Sequence, residues 1–161
     1  MLLLGHRGYS DQYSENTMLA FSKAIESGFD GIETDVHKTK DGVLVLCHDE
    51  KINRTSDGKG YIKDMTYEEL CAYNFGTKEN PQRIPLLKEL LELCKGKNVK
   101  INLEIKTNKR IICIWENKDN TQIQDSTHTH DIQQVIDHIL FKYMIDIFKN
   151  RKTTKNTHYK I

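Results

Sequence analysis

Gly31-Ile32-Glu33-Thr34-Asp35-Val36 is the stretch on which the fold turns. Its apolar and β-branched residues mark a strand, and residues two apart on a strand share a face. Glu33 and Asp35 therefore point one way, and Ile32, Thr34 and Val36 the other. Such a strand suits a parallel sheet covered on both sides. Two carboxylates inside that sheet repel each other and lose hydration. A hard divalent cation, Mg²⁺ or Ca²⁺, is the natural remedy because it prefers oxygen ligands.

On the N-terminal side of this strand, Leu2-Leu3-Leu4 predicts a short buried strand, left through the loop Gly5-His6-Arg7-Gly8. The spacing of Leu19, Ala20, Phe21, Ala24 and Ile25 predicts a helix over about 16–27, stopped at Gly28. On the C-terminal side, Lys40-Asp41-Gly42 predicts a hairpin-type turn. Val43 to Cys47 then reads as a strand buried on both faces, ending at His48-Asp49. Residues 50–85 are turn-rich, with capping-box spacing from Thr66 to Glu69, and read as an insertion. Leu86 to Cys94 has helical spacing. Val99 to Lys106 alternates apolar and polar, which predicts a strand with Glu104 on the same inward face as the carboxylates.

Strands alternating with helices predict an α/β fold of the TIM-type (β/α) barrel kind. In such a barrel the strand C-termini gather on one face, where the chemistry sits. The chain has 161 residues, short of the roughly 250 of a complete barrel. The expectation is therefore a first half-barrel over residues 1–107, with its insertion at about 50–85. After Thr107 the composition changes: every Gly, Pro and Ala lies before it, and the net charge passes from −2 to +3. Residues 108–161 read as a divergent segment. It holds a strand at Ile111 to Trp115, a loop over 117–129, one amphipathic helix over 131–149 and a basic tail. A truncated or frame-shifted product is favoured over a genuine half-barrel. A half-barrel has open edges, which homo-oligomerisation or the 131–149 helix would cover.

The formal net charge of +1 gives no global field that points to nucleic acid. The four cysteines form no CxxC pair, which argues against a zinc ribbon. The opening apolar run is too short for a signal peptide or a transmembrane segment, so a cytoplasmic setting is the default.

Four strand ends thus aim His6, Arg7, Glu33, Asp35, His48, Glu104 and Lys106 at one place. That set suits metal-assisted attack on a phosphate ester. One neutral and one protonated imidazole can take a proton from a nucleophile and give one to a leaving alkoxide. Arg7 offers a fork of donors for phosphate oxygens. Lys106 is either a source of positive charge in the transition state or a salt-bridge partner of the carboxylates. Asn16 is either a phosphate or substrate contact or a plain helix N-cap.

Gly5-His6-Arg7-Gly8, Glu15-Asn16-Thr17, Gly31 to Val36, His48-Asp49 and Leu103-Glu104-Ile105-Lys106, in this order, resemble the glycerophosphodiester phosphodiesterase family. Thr55 and Gly58-Lys59-Gly60 resemble its stretch after the histidine. The resemblance covers residues 1 to about 107. It implies a TIM-type barrel of the phospholipase C-like phosphodiesterase kind, with a small insertion. It also implies hydrolysis of a small-molecule glycerophosphodiester to an alcohol and glycerol 3-phosphate. Its implied roles are acid/base for His6 and His48, divalent-cation ligation for Glu33, Asp35 and Glu104, phosphate contact for Arg7 and charge stabilisation for Lys106. Two alternatives remain: a lysophospholipase D-like phosphodiesterase, and an inactive fragment or assembly module.

Overall fold

The structure is a computed structural model. It describes residues 2–106 and the backbone of residues 110–117 and 120–125. Three strands run parallel: β1 (Leu4–His6), β2 (Gly31–Lys38) and β4 (Lys100–Ile105), with β2 in the middle. The register sets His6 beside Glu33 and Asp35 beside Glu104. Neighbouring strands lie about 4.8 Å apart, so the alternation of each strand and this register bring the charged residues together.

Helix α1 (Met18–Glu26) and helix α3 (Leu87–Cys94) pack against each other, α1 also against β2. They bury Ala20, Phe21, Ala24, Leu87, Leu90 and Leu91, while Ile32, Val36, Ile101, Leu103 and Ile105 are among the buried apolar residues of the sheet. Thr17 caps α1 by accepting a hydrogen bond from the Ala20 N–H. Asn16 is therefore not the cap, and its side chain is free for the site. Gly28 ends α1 at φ +80°, as the sequence predicts.

The first strand is shifted from its predicted place. Leu2 and Leu3 lie outside β1, and Leu2, Leu3 and Leu4 are exposed rather than buried. Among the described residues β1 pairs with β2 alone, so it is an edge strand, which leaves these side chains partly open.

The third strand is a sharper correction. β3 (Leu44–Leu46) runs antiparallel to β2, as the hairpin-type turn at residues 40–42 predicts but a parallel barrel strand does not, and it is three residues long rather than five. β2 outruns β1: residues 31–33 pair with β1, and residues 36–38 pair with β3. The turn at Gly42 (φ +84°) returns the chain beside β2, and the Cys47 N–H reaches the Asp35 carbonyl at 3.1 Å. His48 thus arrives at the level of Asp35 on a hairpin, and not on a fourth parallel strand end.

The insertion builds its own small core. Val45, Cys47, Ile52, Ile62, Leu70, Phe75 and Ile84 pack together under helix α2 (Tyr67–Cys71), whose capping box joins Thr66 to Glu69 in both directions. Beyond β4, β5 (Arg110–Asn117) and β6 (Asn120–Asp125) extend the sheet as antiparallel strands. A strand at 120–125 replaces the predicted loop; it is set by backbone pairing with β5, since Asn120-Thr-Gln-Ile-Gln-Asp carries a single apolar residue. The predicted helix over 131–149 lies outside the described residues. The sheet is therefore mixed, with order β1-β2-β4-β5-β6 and β3 on the edge of β2. No helix among the described residues is long and apolar enough to cross a membrane.

Candidate active site

The site starts at the loop leaving β1. Arg7 and Asn16 both hold left-handed backbone, at φ 58° and 51°, a conformation that costs non-glycine residues energy and tends to mark functional loops. Four hydrogen bonds over-determine it. The Arg7 N–H reaches the Glu33 carbonyl at 2.8 Å, Asn16 N–H reaches the Arg7 carbonyl at 3.0 Å, Gly8 N–H the Gly5 carbonyl at 3.1 Å and Tyr9 N–H the Ala20 carbonyl at 3.0 Å. Gly8 is required here: at φ +83°, an added Cβ would meet Ala20 at 2.8 Å.

Glu33, Asp35 and Glu104 each offer a carboxylate oxygen, and those atoms lie within 4.8 Å of one another. Asp35 is the buried member, with its side chain 1% exposed. Asn16 Nδ2 donates to Asp35 Oδ2 at 3.3 Å, while Thr34 Oγ1 donates to Asn16 Oδ1 at 2.6 Å, so a buried chain orients the carboxylate. Desolvation, then the charge of Asp35, push the Glu33 carboxyl above its ordinary range.

Two cationic side chains close over this acid cluster. Lys106 Nζ lies 2.8 Å from Asp35 Oδ1 and 2.9 Å from Glu104 Oε1. Burial works against its charge, but these two carboxylates outweigh burial and raise its pKa. Arg7 Nη1 donates to Glu15 at 3.1 Å, and its Nε stands 3.9 Å from Asp35 Oδ2. Arg7 Nε is buried without a hydrogen-bond partner, whereas the buried Asp35 Oδ1 is met by the Lys106 ammonium in an ion pair. One unsatisfied donor thus borders the acid cluster.

The imidazoles flank it. His6 is 68% exposed, with Nε2 3.8 Å from Glu33. His48 pairs through Nδ1 with Asp49 at 2.6 Å. His37, at 6% exposure, contacts the His48 carbonyl through Nε2 at 3.2 Å. A carbonyl only accepts, so His37 donates and carries its proton on Nε2. Burial pushes the His37 pKa down, which keeps it neutral.

Every predicted residue lies in this region: Arg7, Glu33, Asp35, Glu104, Lys106 and Asn16 in one contact network, His6 beside Glu33, and His48 tied to β2 through His37. Four further participants are not foreseen by the sequence reading. Glu15 is gripped by Arg7 and Arg54, Asp49 bonds His48, and His37 holds the His48 backbone. Two of these carry a signal, since Glu15 and Asp49 each neighbour a predicted residue. Arg54 lies inside the insertion and carries none.

The model of the glycerophosphoryl diester phosphodiesterase family matches residues 6–158, reaching past Thr107, where the recognisable motifs end. A glycerophosphodiester phosphodiesterase of Bacillus altitudinis is 49% identical over 109 residues, 65% of this chain and 44% of that protein. One from Caldanaerobacter subterraneus subsp. tengcongensis is 47% identical over 110 residues, 66% of this chain and 45% of that protein. A phosphodiesterase of Oleispira antarctica, solved with the product sn-glycerol-3-phosphate, superposes with a TM-score of 0.62 at 32% identity, over 65% of this chain and 44% of that one. Such solved neighbours are of the TIM-barrel type. The chain spans about half the length of the curated relatives it matches. With the family model covering nearly all of its length, the chain belongs to the glycerophosphoryl diester phosphodiesterase family.

Proposed function

We propose that this site hydrolyses glycerophosphodiesters to an alcohol and glycerol 3-phosphate, with one divalent cation held by Glu33, Asp35 and Glu104. The observation that carries the proposal is the cluster of three carboxylates, Glu33, Asp35 and Glu104, beside the buried Arg7 Nε that no acceptor satisfies. A buried donor without an acceptor suits a phosphate oxygen, and clustered carboxylates suit a cation, as the Lys106 ammonium between Asp35 and Glu104 already illustrates. Three hard oxygens within 4.8 Å fit a cation at bond lengths of about 2.1–2.5 Å. Mg²⁺ and Ca²⁺ are both compatible with that donor set. Such a cation, when bound, polarises a phosphoryl oxygen and neutralises developing charge.

The chain's own groups do the rest. Arg7 orients the phosphate through its unengaged Nε–H. Lys106 keeps positive charge beside the reacting centre. Of His6 and His48, one takes the proton of the attacking glycerol hydroxyl while the other protonates the leaving alkoxide, and water then opens the cyclic phosphodiester to glycerol 3-phosphate. A polar cavity of about 560 Å³ opens between the loop after β1 and the insertion, lined by Ser10, Tyr13, Ser14, Thr55, Ser56 and Asp57 among others. The product seen in the Oleispira antarctica relative supports glycerol 3-phosphate as the common product.

The test is release of glycerol 3-phosphate from glycerophosphocholine, with Mg²⁺, with Ca²⁺ and with EDTA, beside His6→Ala. Metal-dependent release lost in EDTA and in the variant is expected. A cooperatively melting chain that releases nothing with either metal would overturn the proposal.

A further inference from the structure

Arg54 belongs to none of the roles above, yet three of its nitrogens are engaged. Its Nη1 and Nη2 form a two-pronged pair with Glu15, both at 2.8 Å, and its Nε donates to Asp49 Oδ2 at 2.7 Å. The other oxygen of Asp49 meets His48 Nδ1 at 2.6 Å. Glu15 in turn accepts from Arg7. One guanidinium, half-exposed in the insertion, therefore joins the loop carrying Arg7 to the residue that holds His48.

We propose that Arg54 and Asp49 are positioning residues that act through His48. Asp49 holds the proton of the neutral imidazole on Nδ1, and Arg54 holds Asp49 in the orientation that does so. Nε2 of His48 has no hydrogen-bond partner among the described residues, so it becomes the nitrogen that exchanges a proton with the phosphodiester. This inference rests on the hydrolase proposal for the role of that proton, but not for the tautomer itself.

The physical chain is short. An ionised carboxylate only accepts hydrogen bonds, so His48 Nδ1 must be the donor. Asp49 stays ionised because Arg54, foremost, holds its pKa down to about 2, with His48 adding to the effect. Exposed ion pairs usually contribute little to stability. Here the two-pronged geometry adds direction, which a catalytic imidazole needs more than it needs stability. The His48 backbone is fixed independently, by His37 on its carbonyl.

Asp49→Asn separates this proposal from a merely structural staple. Arg54 would still demand an oxygen from residue 49, so the asparagine amide nitrogen would turn to His48. An amide N–H is a donor, and it would force the imidazole proton onto Nε2. Loss of the right tautomer in a comparable histidine–carboxylate pair is severe. The expected result is a fall in kcat of about 100-fold or more, with KM within about twofold and the melting temperature unchanged. Arg54→Ala leaves the carboxylate but frees it, so a smaller fall of about tenfold is expected, partly restored by added guanidinium ion.

The tautomer is read directly from long-range ¹H–¹⁵N correlation of the imidazole rings, with His48→Gln to assign the signal. The Nδ1–H form is expected in the unmodified chain and the Nε2–H form in Asp49→Asn. An unchanged spectrum in Asp49→Asn overturns the proposal, as does kcat within twofold of the unmodified chain, or a loss shared equally by KM. Absence of turnover in the unmodified chain would count against the hydrolase proposal instead, and the spectra alone would then decide this one.

Discussion

The parallel strands and the insertion solve the same problem, placing a charged side chain, in opposite ways. On β1, β2 and β4, position follows from register: His6 faces Glu33, and Asp35 faces Glu104, because paired strands leave no other choice. In the insertion there is no such ruler. Its polar groups are placed by side-chain contacts, Arg54 to Glu15 and Asp49, above a separate small core. Carboxylates that must sit within a few ångströms of each other are built on the rigid part. The arginine that bonds Asp49, the partner of His48, is built on the insertion. Sheet register gives precision for groups that repel one another, while a loop reaches a partner 39 residues away in sequence, as Arg54 reaches Glu15.

Asp35→Asn should have the largest effect, on the sheet side of this contrast. It is expected to lower kcat by about 10³-fold and to weaken Mg²⁺ binding by calorimetry, with little change in melting. Retained metal binding would mean that register does not define the acid site. Leu70→Ala tests whether the insertion is part of the same cooperative unit. Removing this fully buried side chain should cost about 2–4 kcal/mol. A single shifted denaturation transition would tie the small core to the sheet, and a split transition would show two separately melting parts. Thr66→Ala removes one half of the α2 capping box and should cost about 1 kcal/mol, measurable as a drop in urea midpoint.

The smallest effect concerns acid. Asp49 has its pKa lowered to about 2 in the folded chain, against an ordinary value of about 3.9. A depressed pKa means stabilisation that is present above about pH 4 and is lost as the pH falls towards 2. The pair is partly exposed, so the whole contribution should stay below about 1 kcal/mol. Arg54→Ala should flatten that part of the pH dependence in urea melts between pH 4 and 2. An unchanged slope would show that Arg54 contributes geometry alone.

Much of the site is legible in the order of the residues. Alternation along Gly31–Lys38 and Lys100–Ile105 places the three carboxylates on inward faces, and a period of two survives folding because it is a property of the extended backbone itself. Thr66 with Glu69, and Gly28 after α1, are equally local, since caps and left-handed turns involve only neighbours in sequence. The apolar run Val43 to Cys47 is ambiguous for the opposite reason. Continuous apolar sequence says that a strand is buried but not which way it runs. Its antiparallel pairing depends on β2 outlasting β1, a fact of tertiary packing. Asn16 is ambiguous too, and Thr17 takes the capping role that would have occupied it.

Local pattern and motif order thus carry the acid–base inventory, the family, the faces of β2 and β4, and the stops and caps, because each is written within a few residues or in an ordered set of motifs. Three arrangements exist only once the chain has folded: the register that brings His48 to the level of Asp35, the hold of His37 and Asp49 on His48 from two sides, and the tie from Arg54 to Glu15. Most of those contacts join residues far apart in the chain, and long-range pairing depends on which surfaces meet when the sheet and the insertion pack.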